Sequence, residues 1–330
     1  MIVNNELKRG DAFFKHNHDN EKYHLQVNRA SCVFYFINST DISTELHYMN
    51  YWREKRGLNG VRLMLSFRSM SGESIGHIEE NINDKGSKCI SIKSILNSLN
   101  IQAKEGSVEM EFFSNNDMFI SYPGVVIRYF GEDWHTSTHT SQRVYSKSSG
   151  DEEELLSGVL VNAEEGNIST SDIECDPFFI MHNGPFEIPT QDIEYKVTKD
   201  TGESRSFMQK GVSIKPYETK ILKPGNLFDY KSFAKTHHVA FSIKYITTGI
   251  FPRLIAGFEK DKKWTIDHTN FAFTKGQAAM DTFKSNSDPR FKDLVFNFPV
   301  NPKWKNYVDF PPTYPADCSY EINMDELDKD

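Results

Sequence analysis

The chain repeats itself over a span longer than a hundred residues, and that repeat limits what it can fold into. Residues 122–140 read YPGVVIRYFGEDWHTSTHT and residues 251–269 read FPRLIAGFEKDKKWTIDHT. Aligned without a gap at an offset of 129, they bring Pro123 onto Pro252, Tyr129 onto Phe258, Thr136 onto Thr265 and His139 onto His268. Weaker pairs lie upstream in the same order. SGES at residues 71–74 parallels TGES at 201–204, INDKGSKC at 82–89 parallels IKPYETKI at 214–221, and VEMEFF from Val108 parallels VAFSIKY from Val239. Earlier still, CVFYFIN from Cys32 resembles CDPFFIMHN from Cys175. A unit this long is a whole domain, since solenoid repeats run to only about 20–50 residues.

The repeat divides the chain into an N-terminal arm (1–29), a first copy (30–148), an acidic linker (149–171), a second copy (172–300) and a Pro/aromatic then acidic tail (301–330). Short runs such as VRLMLSFR, SVEMEFF and HVAFSIKY have strand length, and EYKVT alternates apolar with polar residues as a half-buried strand does. SGES and TGES supply turns between them, with glycine free to take positive φ. The expected fold is therefore all-β: two tandem, related β-sandwich domains of jelly-roll type, produced by internal duplication. The first copy is longer between Asn38 and Gly72. Leu46, Met49 and Trp52 stand three apart there, which predicts a short helical insertion begun after Ser43 and stopped by Gly57. ILNSLN at residues 95–100 predicts a further helical turn.

Net charge is −8 with no Lys/Arg cluster, so a phosphate backbone is not an expected partner. No apolar run approaches the ~20 residues of a membrane span, and the first residues lack the apolar core of a secretory signal. The cysteines (Cys32, Cys89, Cys175, Cys318) show no CxxC or Cys/His zinc spacing, so the expectation is reduced thiols in a soluble, cytoplasmic protein without a metal or cofactor.

The histidines are the candidates for chemistry. His135 and His139 share one side of a strand but stand ~13 Å apart, too far to ligate one ion. His139 and His268 occupy the same repeat position. They are expected either to lock a sheet edge or to converge between the domains as catalytic groups, with Asp267, Asp133 or Glu132 as charge partners. Arg128, Trp134, His135, Arg253 and Trp264 differ between the copies and suit ligand binding through stacking and bidentate bonds, with core packing the default for either Trp. The leading functional expectation is a binding or assembly module, recognising carbohydrate or another polar ligand in the cleft between domains. The alternatives are an enzyme acting on a glycan or polar small molecule through His/Asp acid–base chemistry, and a shell-forming structural protein. Oligomerisation fits any of the three.

Overall fold

Alternation of apolar and polar side chains builds the first pair of sheets. The structure, a computed structural model, describes residues 26–139, 142–145, 158–170, 172–199, 201–235 and 237–273. Strands β1 (Arg29–Ile37), β3 (Val61–Arg68), β4 (Ser74–Ile82) and β6 (Glu105–Phe113) form an antiparallel sheet in the order β1-β6-β3-β4. Strands β2 (Ser43–Met49), β5 (Ser87–Ser91), β7 (Val125–Phe130) and β8 (His135–His139) form a second, ordered β5-β2-β7-β8. Phe34, Leu65, Phe67 and Met110 of the first sheet share one apolar core with Leu46, Tyr48, Ile127 and Tyr129 of the second.

The same order recurs downstream. Strands β10 (Val161–Thr170), β12 (Ile188–Lys199), β13 (Ser204–Ile214) and β15 (Val239–Thr247) are ordered β10-β15-β12-β13, with β19 (Asn270–Phe273) beside β10. Strands β11 (Asp176–His182), β14 (Thr219–Leu222), β17 (Ile255–Lys260) and β18 (Lys263–His268) are ordered β14-β11-β17-β18. Ladder register agrees with the sequence offset of 129: Val126 pairs with His139 as Ile255 pairs with His268, and Phe130 with His135 as Glu259 with Trp264. Gly72 and Gly202 both sit at positive φ, 89° and 84°, in the equivalent β3–β4 and β12–β13 turns.

Three expectations need correction. The CVFYFIN/CDPFFIMHN match joins strands that are not equivalent, because the counterpart of β1 is β10 and that of β11 is β2. Both segments are buried on both faces, and such strands lose their alternation and read as look-alike apolar runs. The stretch expected to be an acidic linker also carries β10, which pairs with β15 of the second half. There the Glu165 carboxylate is fully buried and accepts hydrogen bonds from Tyr245 Oη, Thr269 Oγ1 and Leu254 N–H, so an acidic residue serves as a core connector. Finally, the insertion is a strand before it is a helix. Thr44, Leu46 and Tyr48 point inward along β2, and helix α1 (Tyr51–Arg56) begins only where Asn50 caps Arg53 N–H. Gly57 ends it at φ 64° as expected, and Trp52 plugs the core with its indole N–H on Met118 O at 3.1 Å. Helix α2 (Ile92–Ser98) lies where the helical turn was expected, and α3 (Tyr230–Ala234) follows β14 as α2 follows β5. The arm apart from its last residues, the tail, Cys318 and residues 274–300 of the second copy lie outside the described residues.

The halves are joined through one face of sheet β14-β11-β17-β18. Phe178, Ile180, Ile255 and Ile266 belong to the first half's core, and Trp264 packs on Tyr35, Tyr129 and Phe178. A two-stranded ladder of β9 (Arg143–Val144) with β16 (Ile250–Phe251) adds to the join. Next to it, the Gln142 side chain accepts His182 N–H at 2.7 Å and donates to His182 O at 3.1 Å, completing the backbone bonding of β11. His182 itself is buried, and burial holds its imidazole down at about 3.

That burial has a pH consequence. The folded state refuses a proton that unfolded His182 accepts below its ordinary 6.5, so stability falls as pH drops from about 6.5 toward 3, by at most about 1.4 kcal/mol per unit. Glu109 opposes this. Burial and the adjacent Glu111 push it up to about 7, so its contribution falls as pH rises from 4.5 to 7. The expected result is that the stability difference between wild type and His182→Gln changes with pH between about 3 and 6.5, most steeply near pH 5 and by at most about 1.4 kcal/mol per unit, in urea titrations. A difference independent of pH would contradict it.

Candidate functional site

Strands β8 and β18 run side by side at the seam between the halves, bridged by side chains. Ile266 N–H donates to Thr136 Oγ1 at 3.1 Å, Thr138 Oγ1 donates to Asp267 Oδ1 at 3.4 Å, and Lys263 pairs with Asp133 at 2.5 Å. At its end the two repeat-equivalent histidines meet. His139 Nε2 and His268 Nε2 are 3.2 Å apart, with the rings edge to face at 4.6 Å between centroids.

The tautomers follow from the partners. His268 Nδ1 lies 3.1 Å from Thr269 O, which can only accept, so Nδ1 carries the proton and His268 Nε2 is the acceptor. His139 Nε2–H must then donate, which leaves His139 Nδ1 as a lone pair. Two imidazolium rings would set N–H against N–H, so the pair holds at most one positive charge in this geometry. Partial burial, His268 and the Arg253 guanidinium all hold the His139 pKa below its usual value, against the pull of Asp267.

The exposed face of sheet β5-β2-β7-β8 continues from this pair. Register places Cys89, His47, Val126 and His139 in one row across the sheet, with Ser91, Glu45, Arg128 and Ser137 in the next, and Ser43, Phe130 and His135 in a third. Arg128 donates to Glu45 Oε2 at 3.1 Å, and its guanidinium lies over Phe130, 4.7 Å from the ring centre.

The equivalent face in the second half has a different character. By ladder register, Glu45, His47, Cys89, Val126, Arg128 and Ser137 correspond to Phe178, Ile180, Ile221, Ile255, Gly257 and Ile266. That set is apolar apart from its glycine and is covered by the first half. Gly257 admits no side chain, because a Cβ would stand 2.0 Å from Thr265 O.

The sequence-derived candidates therefore separate. His139, His268, Asp267 and Arg253 gather at the seam, and Arg128 and His135 stand on the open face beside it. Trp134 lies in the β7–β8 turn against the first core, with its indole over Gly131. Trp264 is half-buried and packs its ring on Tyr35, Tyr129 and Phe178. Asp133 is engaged by Lys263, and Glu132 is exposed. Sequence reading missed Glu45, His47 and Cys89. Glu45 and His47 fall in the stretch expected to be helical, which hides their common strand face, and Cys89 reaches them only through β2–β5 pairing.

A depression of about 430 Å³ lined by Glu174, Asp176 and residues 259–262, and another of about 330 Å³ on the outer face of the β13-β12-β15-β10 sheet, do not include the histidine pair. No described helix is long and apolar enough to cross a membrane.

No protein-family model matches the sequence, and no curated protein matches it. Among solved structures, the chain is similar to a β-glucuronidase of Parabacteroides merdae, at 7% identity and a TM-score of 0.18, over 76% of this chain and 28% of that one. It is similar to a calcium-binding mutant of Bacteroides uniformis β-glucuronidase 2 at 7% identity and a TM-score of 0.17, over 77% and 27%. A β-glucuronidase from glycoside hydrolase family 2 gives 8% identity and 0.18, over 77% and 24%. The chain thus spans about a quarter of the length of these enzymes, and a likeness at these scores carries no argument.

Proposed function

We propose that the protein is a binding module made of a duplicated β-sandwich, and that it takes a carbohydrate or another polar small molecule on the open face beside the His139–His268 seam. The observation that carries this reading is the contrast between equivalent faces. In the second half the face is apolar and buried against its neighbour; in the first half the same positions hold a glutamate, a histidine, an arginine, a thiol, a serine and one valine. Packing does not require those residue types there, because the equivalent set meets the packing requirement with isoleucine and phenylalanine.

The groups present fit a hydroxylated or anionic ligand. Arg128 offers guanidinium donors on a flat, ring-backed platform, His139 Nδ1 offers an acceptor, and Asp267 lies next to the pair. The openness of this face favours binding over acid–base catalysis, which gains from a site that excludes water.

Titrating the full chain by calorimetry against a panel of neutral, acidic and amino sugars tests the reading. Binding to at least one member is expected, weakened at least tenfold, about 1.4 kcal/mol, by Arg128→Ala and by His139→Ala, with thermal midpoints retained. Absence of binding across the panel, or binding that both variants leave intact, would overturn it.

A further inference from the structure

We propose that Glu45, His47 and Cys89 form a zinc-class metal site on the open face of sheet β5-β2-β7-β8. Among the described residues these three place one ligand atom each within 4.8 Å of one another. Glu45 and His47 are two apart on β2 and project to the same side, while Cys89 of β5 stands directly opposite His47. His47 Nε2 is 3.4 Å from Glu45 Oε2 and 3.9 Å from Cys89 Sγ. Ligand atoms at 2.0–2.3 Å around a tetrahedral ion stand roughly 3.3–3.7 Å from each other, so His47 already stands near tetrahedral spacing from both partners, and rotation of the Cys89 and Glu45 side chains, within 4.8 Å of each other, completes the geometry. Imidazole, thiolate and carboxylate together suit Zn²⁺, and thiolate disfavours Mg²⁺ and Ca²⁺.

A second observation is independent of these distances. The equivalent trio in the other half is Phe178, Ile180 and Ile221, which packs against the first core, so the fold itself has no need of ligating groups at these positions.

Arg128 is the group that works against a cation here, since it already bonds Glu45 Oε2 at 3.1 Å. The carboxylate has a second oxygen, so Arg128 and the ion can share Glu45 with the arginine outside the coordination sphere. The same guanidinium favours the thiolate form of Cys89, whose pKa is otherwise raised by burial and by Glu45. Binding therefore releases the thiol proton, and affinity rises with pH. Three protein ligands on an exposed face leave a fourth position for water or for an oxygen of a bound ligand.

This inference goes beyond the ligand-binding reading and is tested without any sugar. The full chain, stripped with a chelator, is titrated with Co²⁺ and then with Zn²⁺. The expected result is one equivalent of Co²⁺ with a thiolate-to-cobalt charge-transfer band and four-coordinate visible absorption, both displaced by Zn²⁺. Cys89→Ser is expected to abolish the charge-transfer band, and His47→Gln to weaken Zn²⁺ binding at least tenfold, with circular dichroism unchanged in both. Absence of the band in the wild-type chain, or a band that survives Cys89→Ser, would overturn the proposal. So would metal uptake that is lost in His139→Gln and kept in His47→Gln, which would place the ion at the histidine seam instead.

Discussion

Replacing Arg29 by Met is expected to destabilise the protein by about 3–5 kcal/mol. Arg29 is buried, and its guanidinium bonds Glu111 at 2.7 Å, Glu109 at 2.8 Å and Val144 O at 2.8 Å. Without it, the two buried carboxylates keep, among the described residues, only Arg68, 3.7 Å from Glu109. Glu109 is already pushed toward protonation, so the remaining carboxyls would take up protons rather than stay charged. The loss should therefore be larger at pH 8 than at pH 5. Combining Arg29→Met with Glu109→Gln and Glu111→Gln should recover much of it, because exchanging a whole buried ionic cluster for neutral groups of similar size is often tolerated. Urea denaturation of the single and triple variants measures both effects, and a single-variant loss below about 1 kcal/mol would contradict the buried-charge account.

The second large effect is expected at Trp264. Its ring centre lies 4.9 Å from Phe178, 5.4 Å from Tyr129 and 6.0 Å from Tyr35, so a side chain of the second half fills a gap in the core of the first. Trp264→Ala should cost about 3 kcal/mol, the low end for removing a large aromatic, because the ring is half-buried. Trp264→Phe should cost far less. It keeps most of the ring contact and removes a buried indole N–H that has no hydrogen-bond partner among the described residues. Because Trp264 and His268 share β18, loosening this plug should also separate the histidine pair. Histidine proton resonances of Trp264→Ala should then lose the His139–His268 contact even in the folded fraction. A folded Trp264→Ala that retains the contact would show that the seam is set by the β8–β18 side-chain bridges alone.

The repeat made the histidine contact foreseeable. A common offset of 129 placed His139 and His268 at one ladder position, and two copies meeting near equivalent edges bring such positions together. Alternation was enough for β6 and β12, while β2 was hidden inside the stretch expected to be helical. It failed at β1 and β11, where burial on both faces erased the alternating signal and produced a false pairing. It failed again at β10, because one stretch of chain does not reveal that Glu165 will find Tyr245 and Thr269 far along the sequence. For Trp264 core packing was the default, but one strand does not show which core receives it. The Glu45–His47–Cys89 cluster depends on a strand pairing that no local motif announces.

The contrast between the two equivalent faces also bears on how such a chain can change over time. Phe178, Ile180, Ile221, Ile255 and Ile266 are committed to packing, so almost any change there is paid in stability. Positions 45, 47, 89 and 128 carry no such obligation. Mutation can therefore rewrite the exposed chemistry of one sheet while the matching positions of the other hold the fold in place, a division of labour open to a fold that uses one strand order twice.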